Sequence, residues 1–267
     1  MTDPALARFG EAYGRHRAAE GRGHAGDDLL ALPYLTHGPL ARQWAVRARS
    51  FEALMRHVVR PEARRLQRPL TLLDLGAGNG WLSYRAALEG HRAMAVDIRD
   101  DAIDGLGAAG PFIERTGGRI MCIKASFAAI PRAIAGADVT VFNAALHYAT
   151  DLAATIAEAA RATRPGGMLV ILDSPFYRRD RDGAAMVAEK RAHMRDRFGD
   201  GAADLMSLPF VEYLTRDRLA QASTATGIVW RRRRVAYPLW YELRPIVAAL
   251  RRRRRPSRFD LWWGRRP

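Results

Sequence analysis

Residues 72–80 read LLDLGAGNG, and this stretch decides the fold. It joins a short apolar run to three glycines spaced two apart, Gly76, Gly78 and Gly80. Such a run is typical of a buried parallel strand, and glycines let the backbone turn tightly and let a ligand approach closely. A helix is predicted directly after the loop, over residues 81–89, and its first N–H groups have no partner inside the helix. The stretch therefore predicts a strand, a tight loop and a helix start that together bind a polar ligand.

Three side chains around this loop narrow the kind of ligand. Asp97 ends the next predicted strand, about 20 residues on, where a carboxylate accepts hydrogen bonds from both hydroxyls of a ribose. Dinucleotide loops read G-x-G-x-x-G, but here the bulky Trp81 stands where their third glycine would be. Asp74 can attract a cationic amino group and would repel a pyrophosphate. The spacing therefore favours a nucleoside ligand with a cationic group over a dinucleotide.

Strands and helices alternate along the chain from this loop onward. The predicted strands cover residues 70–75, 93–98, 119–124, 137–142 and 168–172, and helices are predicted over residues 81–89, 100–106, 127–135 and 152–163. This alternation is typical of a parallel, doubly wound α/β sheet. A further helix over residues 215–226 precedes two last strands, over residues 228–237 and 259–263.

The domain organisation follows from where this alternation starts and stops. Residues 1–66 are predicted to form an N-terminal helical extension, with a helix after Gly38-Pro39 that Pro61 ends. Its polar aromatic and basic residues, such as Tyr13 and Arg17, could close a pocket from above. Residues 67–267 form the main domain. An insertion at about 177–214, with a helix and a Gly-Asp loop, is expected over the mouth of the sheet.

Together these motifs resemble the class I S-adenosylmethionine-dependent methyltransferase family. The D-x-G-x-G-x-G signature appears as Asp74 to Gly80, the ribose-binding acid as Asp97, and an RPGG turn as residues 164–167. The resemblance covers the chain from about Leu70 to its C-terminus. It implies a Rossmann-like, seven-stranded, mostly parallel α/β sheet of order 3-2-1-4-5-7-6, with strand seven antiparallel and helices on both faces.

The resemblance also implies S-adenosylmethionine as the cofactor. The family typically has an acidic residue beside the adenine after strand three, and this chain has Ala125-Ser126-Phe127 instead. Ser126 could still accept a hydrogen bond from the adenine amino group, and Phe127 could cover a ring face. The implied cofactor-binding residues are Asp74, Gly76, Ala77, Gly78, Asn79, Gly80, Asp97, Ile98, Ser126, Phe127 and Asn143.

The catalytic candidates follow strand four, which in this fold faces the transferable methyl group. His147 is predicted to act as the general base, because imidazole titrates near neutrality, and Tyr148 is predicted to orient the acceptor. The alternative, that His147 caps the loop or packs beneath the lid, has equal weight. No metal is expected, because neither the acidic residues near strands four and five nor the histidines have a metal-ligand spacing.

Charge bears on the partners. The net charge is +15, the isoelectric point is about 11.0, and all basic residues except Lys124 and Lys190 are arginines. An anionic partner is one reading, and a GC-rich coding bias toward arginine is the favoured one. Arg231–Arg234 is predicted to lie on an edge strand, where charge blocks aggregation. Arg251–Arg255 is predicted to be a solvated loop, with contact to phosphates or anionic lipid headgroups as the alternative.

The favoured function is methylation of a small molecule, such as a hydrophobic or biosynthetic intermediate. Methylation of RNA or another polyanion is the second reading, and a non-catalytic cofactor-binding protein is the third. The single cysteine, the absence of an apolar signal segment and the absence of a run long enough to span a bilayer predict a cytoplasmic protein without a transmembrane segment. The oligomeric state does not follow from the sequence.

Overall fold

Seven strands form one sheet in a computed structural model that describes residues 4–198 and 202–267. The predicted Gly-Asp loop at 199–201 and the first three residues lie outside the described part. The strand order is β3-β2-β1-β4-β5-β7-β6, as predicted, and β7 runs antiparallel to both of its neighbours. The strands are β1 Thr71–Leu75, β2 Arg92–Asp97, β3 Ile120–Lys124, β4 Ala137–Asn143, β5 Thr163–Leu172, β6 Trp230–Arg233 and β7 Leu261–Arg265.

Helices cover both faces of this sheet. Side chains alternate between faces along a strand, so Leu72 and Leu73 belong to two separate apolar clusters. The helices are α1 Pro4–Ala19, α2 Gly26–Ala31, α3 Ala41–Leu54, α4 Arg60–Leu66, α5 Trp81–Leu88, α6 Gly110–Arg115, α7 Leu152–Ala162, α8 Asp180–Phe198, α9 Ala202–Leu205, α10 Arg216–Ala222, α11 Leu239–Glu242 and α12 Arg244–Leu250. The cluster of Leu72 joins α3 and α5, and that of Leu73 joins α7 and α10.

The structure corrects three details of the predicted elements. Pro61 does not end the N-terminal helix, because a π-helical turn at Met55–Val59 precedes it and the proline stands at the start of α4, where no N–H is needed. No helix forms at residues 100–106, because the Asp101 carboxylate accepts the backbone N–H groups of Ile103 and Asp104 and holds a turn. Residues 127–135 also form turns, around Pro131.

A network of arginines and two carboxylates fastens α4 to the lower edge of the sheet, opposite the carboxyl ends of the parallel strands. Glu62 in α4 has a side chain that is 1% exposed, and it accepts hydrogen bonds from Arg65, Arg164 and Arg265. These partners come from α4, β5 and β7. The hydrogen bond from Arg65 is the largest cause that lowers the pKa of Glu62 to about 2. Because Arg164 also pairs with Asp138 at the start of β4, one network joins four elements.

We expect Glu62→Gln to lower the free energy of unfolding at pH 7 by about 1–3 kcal/mol, because it removes the buried charge that three guanidinium groups share. A depressed carboxyl pKa contributes stability above the unfolded-state value. The contribution is lost as pH falls from about 5 to 2, so wild type and variant should converge there.

Urea unfolding followed by circular dichroism at pH 7 and pH 3 measures this difference. Glu52→Gln is the matched control, because its partner Arg49 is exposed and such pairs contribute little. A pH-independent difference would contradict the assignment of stability to the Glu62 charge.

Candidate active site

A cavity of about 580 Å³ lies at the carboxyl ends of the central strands. In open parallel sheets, this edge is where ligands bind. Its floor is the loop of residues 76–79, and its sides include Asp97 after β2 and Asn143 after β4. The sheet order therefore brings together residues that are far apart in sequence.

The glycine loop packs closely against the segment after β4 at Gly76. Gly76 has φ +73°, and a Cβ atom added there would lie 2.4 Å from the Cβ of Ala145. The N–H groups of Gly76 and Ala77 both donate to the Val96 carbonyl, at 2.8 and 3.0 Å. Gly78 has φ +58° and donates its N–H to Asp97. The backbone itself therefore forms the cavity floor, as the spacing of the glycines predicts.

Asp97 is held by the backbone on both of its oxygens. Its Oδ2 accepts the Gly78 N–H at 2.8 Å, and its Oδ1 accepts the Arg99 N–H at 2.9 Å. A carboxylate oxygen has a second lone pair, so each oxygen can also accept from a hydroxyl in the cavity. Burial raises the pKa of Asp97, and the two backbone hydrogen bonds oppose this shift. Both carboxylate oxygens are therefore fixed in place by the backbone at the side of the cavity.

Asp74 lies behind the loop. Its Oδ2 accepts from the Ser83 hydroxyl of α5 at 3.0 Å, and its buried Oδ1 has no partner among the described residues. Burial raises the pKa of Asp74 to about 7. Asp74 and Gly80 do not border the cavity, so any influence they have on a ligand acts through the loop.

The N-terminal helix α1 forms an aromatic roof over the cavity. Phe9 and Tyr13 of α1 stack with ring centroids 5.5 Å apart, and both lie against Tyr148, at 6.1 and 5.5 Å. Phe210, from the predicted insertion, meets the Phe9 ring at 4.7 Å. Arg17 of α1 reaches the segment after β2. The roof is therefore apolar, and it includes the first helix of the extension.

Arg47 stands out among the basic residues at the cavity. It borders the cavity, its guanidinium carbon lies 5.6 Å from the Trp44 ring, and it makes no hydrogen bond or ion pair with any described residue. Burial lowers the pKa of Arg47, and the charge of the buried Asp173 opposes this. A cation in this position can bind an anionic group of a ligand.

The two catalytic candidates occupy different places. Tyr148 borders the cavity and donates its hydroxyl hydrogen bond to Tyr13 at 3.3 Å. His147 does not border the cavity; its ring lies 4.3 Å from that of Tyr148, and its buried Nδ1 has no partner among the described residues. Burial lowers the pKa of His147 to about 3, and raises that of Tyr148 well above its ordinary value. Both rings are therefore neutral at physiological pH.

All of the sequence-predicted site residues except Asp74, Gly80 and His147 border the cavity. Sequence reasoning missed Arg47, and it also missed Trp44, which is both buried and in the cavity wall. The signal for Arg47 was its position in the apolar stripe of α3, between Trp44 and Phe51. Within the described ranges, no cluster of three or more His, Cys, Asp or Glu side chains could hold a metal ion. The same ranges contain no helix long and apolar enough to cross a membrane.

Comparison with known proteins shows what this chain is similar to. Residues 73–171 match the methyltransferase domain family, whereas no curated protein matches the chain significantly in sequence. The chain is similar to geranyl diphosphate C-methyltransferase from Streptomyces coelicolor A3(2), solved with Mg²⁺, geranyl diphosphate and S-adenosyl-L-homocysteine. The TM-score is 0.64 and the identity 14%, over 100% of this chain and 99% of that one.

Two further solved structures have the same fold over their whole length. One is a geranyl diphosphate methyltransferase in complex with geranyl diphosphate and sinefungin, with TM-score 0.62, 15% identity and coverage of 99% and 100%. The other is magnesium protoporphyrin IX methyltransferase from Synechocystis PCC 6803 with bound S-adenosylmethionine, with TM-score 0.58, 15% identity and coverage of 100% for both chains. At these identities the likeness is one of fold.

The cavity provides what S-adenosylmethionine requires. Asp97 offers two fixed acceptors for ribose hydroxyls, and Phe127 and Ser126 lie in the wall beyond it. The buried Asn143 Oδ1 has no partner among the described residues and can accept from the cofactor's amino group. Arg47 borders the same cavity, and its guanidinium can pair with a carboxylate such as that of the methionine moiety. The residues present therefore fit the cofactor.

We expect Arg47→Met to weaken binding of S-adenosylmethionine about 10- to 100-fold, because a hydrogen bond between charged groups contributes about 1.5–3 kcal/mol. Calorimetry should show no such loss for decarboxylated S-adenosylmethionine, which lacks only the carboxylate.

The matched control is Arg49→Met, since Arg49 lies on the same helix and is exposed. Equal weakening of both ligands in the Arg47 variant would show that the guanidinium shapes the cavity rather than binding the carboxylate. Unchanged affinity for both would leave Arg47 free for the acceptor.

Proposed function

Because the chain contains a class I S-adenosylmethionine-dependent methyltransferase domain, we propose that it methylates a small molecule enclosed in the cavity described above. The observation that carries the proposal is the continuity of this cavity. One cavity extends from the glycine loop to the aromatic roof of α1, Tyr148 and Phe210. A donor on the loop and an acceptor under the roof therefore share one enclosed space.

The size and lining of the cavity favour a small acceptor. About 580 Å³ is within the range of pockets that enclose small ligands, and the wall formed by Phe9, Tyr148 and Phe210 is aromatic, as is typical of such pockets. The fold neighbours that act on geranyl diphosphate and magnesium protoporphyrin IX support a small acceptor, without identifying it.

Charge at the cavity favours a small acceptor over RNA. Arg17, Arg99 and Lys124 at its rim each pair with a carboxylate of residues 100–104, at 2.6 to 2.8 Å. Binding to a polyanion depends on cations that are free to neutralise phosphates. Arg47 is the cation of this cavity that lacks an ion pair within the described chain, and one cation suits a small ligand.

The arrangement points to catalysis by positioning. S-adenosylmethionine supplies a methyl group on a sulfonium, so charge disperses as the group moves to the acceptor. The protein's contribution is then to align the acceptor and to exclude water. The neutral Tyr148 hydroxyl, which already contacts Tyr13, can orient an oxygen or nitrogen acceptor by donating a hydrogen bond.

Two observations favour a supporting role for His147 over proton removal. A general base must come within hydrogen-bond reach of the acceptor, and its pKa should lie near the operating pH. His147 packs against Tyr148 outside the cavity wall, and its pKa is about 3. We therefore propose that His147 supports Tyr148 and that the acceptor binds in an already nucleophilic form.

The test is transfer of a labelled methyl group from S-adenosylmethionine to a bacterial metabolite extract, with total RNA as a parallel acceptor. The proposal expects label in the small-molecule fraction. Label in RNA alone would favour the polyanion reading. Cofactor binding by calorimetry with no label in either fraction would favour a protein that binds the cofactor without transferring the methyl group.

The ring of His147 should not titrate near neutral pH. Because burial holds the pKa of His147 near 3, its ring should remain neutral from pH 5 to 9. Nuclear magnetic resonance of the labelled histidine rings, with the His147 signal assigned by His147→Asn, measures this. Titration of His147 between pH 6 and 8 would restore the general-base role.

A further inference from the structure

The connection between β6 and β7 exposes an apolar face, which we call the 239–255 surface. It consists of α11, α12 and the arginine run that follows them. Six large apolar side chains on it are between 38% and 81% exposed, namely Leu239, Trp240, Leu243, Ile246, Val247 and Leu250. All six follow one another at intervals of one or three residues across the two short helices, which is the spacing of residues on a helix face.

Apolar exposure is concentrated here. The other large apolar side chains with comparable exposure are scattered singly over the described chain, at Tyr34, Leu88, Ile103, Met121 and Val229. Single exposed apolar residues are normal, whereas contiguous ones mark an interaction site. The 239–255 surface therefore needs a partner that accepts apolar side chains.

The same surface carries unneutralised positive charge. Arg251, Arg252, Arg253 and Arg255 are exposed and make no side-chain hydrogen bond or ion pair with any described residue. Arg254 is the exception in this run, since it pairs with Glu189 and contacts the Tyr177 hydroxyl. The partner must therefore be anionic as well as apolar.

We propose that the 239–255 surface docks on an anionic lipid bilayer. An amphipathic helix that lies in the membrane interface combines an apolar face, an interfacial tryptophan and adjacent basic residues, and this surface has all three. Each arginine close to an anionic leaflet adds an attraction that salt screens.

Other occupants match the surface less well. RNA would neutralise the arginines but would gain little from Leu239, Ile246 and Leu250, because nucleic acids stack on aromatic rings. A second copy in a two-fold dimer would bring two arginine runs close together, which like-charge repulsion opposes.

Docking would bring the cavity end of the molecule towards the lipid. β6 runs in the same direction as β5, so its end at Arg233 lies at the sheet edge where the parallel strands end. The guanidinium carbon of Arg42 lies 5.6 Å from the Trp240 ring, and Trp44 of the same chain segment borders the cavity. This arrangement suits an acceptor that partitions into the bilayer. That consequence rests on the proposed function, whereas the docking proposal is independent of it.

Co-sedimentation with vesicles tests the docking with neither cofactor nor acceptor. Wild type should bind equimolar phosphatidylglycerol–phosphatidylcholine vesicles at low salt and should bind pure phosphatidylcholine vesicles much less. Two variants should each lose at least about tenfold in partitioning to the vesicles. The apolar variant carries Ile246→Ser and Leu250→Ser. The charge variant has Gln in place of Arg251, Arg252, Arg253 and Arg255.

Matched controls separate the surface from general charge and hydrophobicity. The apolar control, Leu88→Ser with Val229→Ser, removes two exposed apolar side chains elsewhere. This control and the charge control described next should each bind vesicles within about twofold of wild type. The charge control replaces four other exposed arginines with Gln, namely Arg56, Arg92, Arg115 and Arg132. These arginines make no side-chain hydrogen bond within the described chain.

Three results would overturn the proposal. The first is no binding of wild type to anionic vesicles, and the second is an equal loss in variants and controls. The third is that the surface variants abolish a different interaction, either self-association in sedimentation velocity or RNA binding in the absence of vesicle binding. Since methyl transfer in solution is measured separately, failure of docking and failure of the proposed function are distinguishable.

Discussion

The close contact between Gly76 and Ala145 determines the geometry of the site. There is no space for a Cβ at residue 76, because it would lie 2.4 Å from the Ala145 Cβ. The neighbouring N–H groups tie the loop to Val96, so the ends of β1, β2 and β4 are held together by the backbone. A side chain at residue 76 would displace the segment after β4 that carries Tyr148. The floor of the cavity and the position of the acceptor-facing tyrosine are therefore set by one contact.

The roof depends on the segment that follows the ribose-binding strand. Arg17 of α1 donates to Asp104 at 2.6 Å, and Arg99 lies 3.7 Å from the same carboxylate. The Arg99 N–H also donates to Asp97, so the residues that hold the roof adjoin the residue expected to bind the ribose. Residues 97–104 thus link Asp97 to the contacts that hold α1 over the cavity.

The sequence predicted the parts of this molecule that depend on backbone periodicity. The β-α alternation predicted a parallel, doubly wound sheet, and the resemblance to a family implied the strand order and the positions of Asp97 and Asn143 at the cavity. Whether a single side chain lines the cavity or packs behind it was harder to predict. His147 and Tyr148 are adjacent on a 3₁₀ turn, so a small rotation decides which ring faces the cavity and which packs behind it. Asp74 faces Ser83 of α5 rather than the cavity, because strand residues alternate between faces. The family motif alone did not indicate this direction.

The distribution of paired arginines bears on whether the basic composition has a function. A coding bias would place arginines over the whole surface, and many of them here are paired with carboxylates, as at Glu62 and around the cavity. Those of the edge strand β6 have a structural explanation, because charge keeps an exposed edge from pairing with another chain. Arg251–Arg255 follows a helix instead, so edge protection does not apply to it. Among the described residues, most of this run has no ion-pair partner, and it directly adjoins a concentration of exposed apolar side chains. Composition alone explains neither the position of the run nor its apolar neighbours.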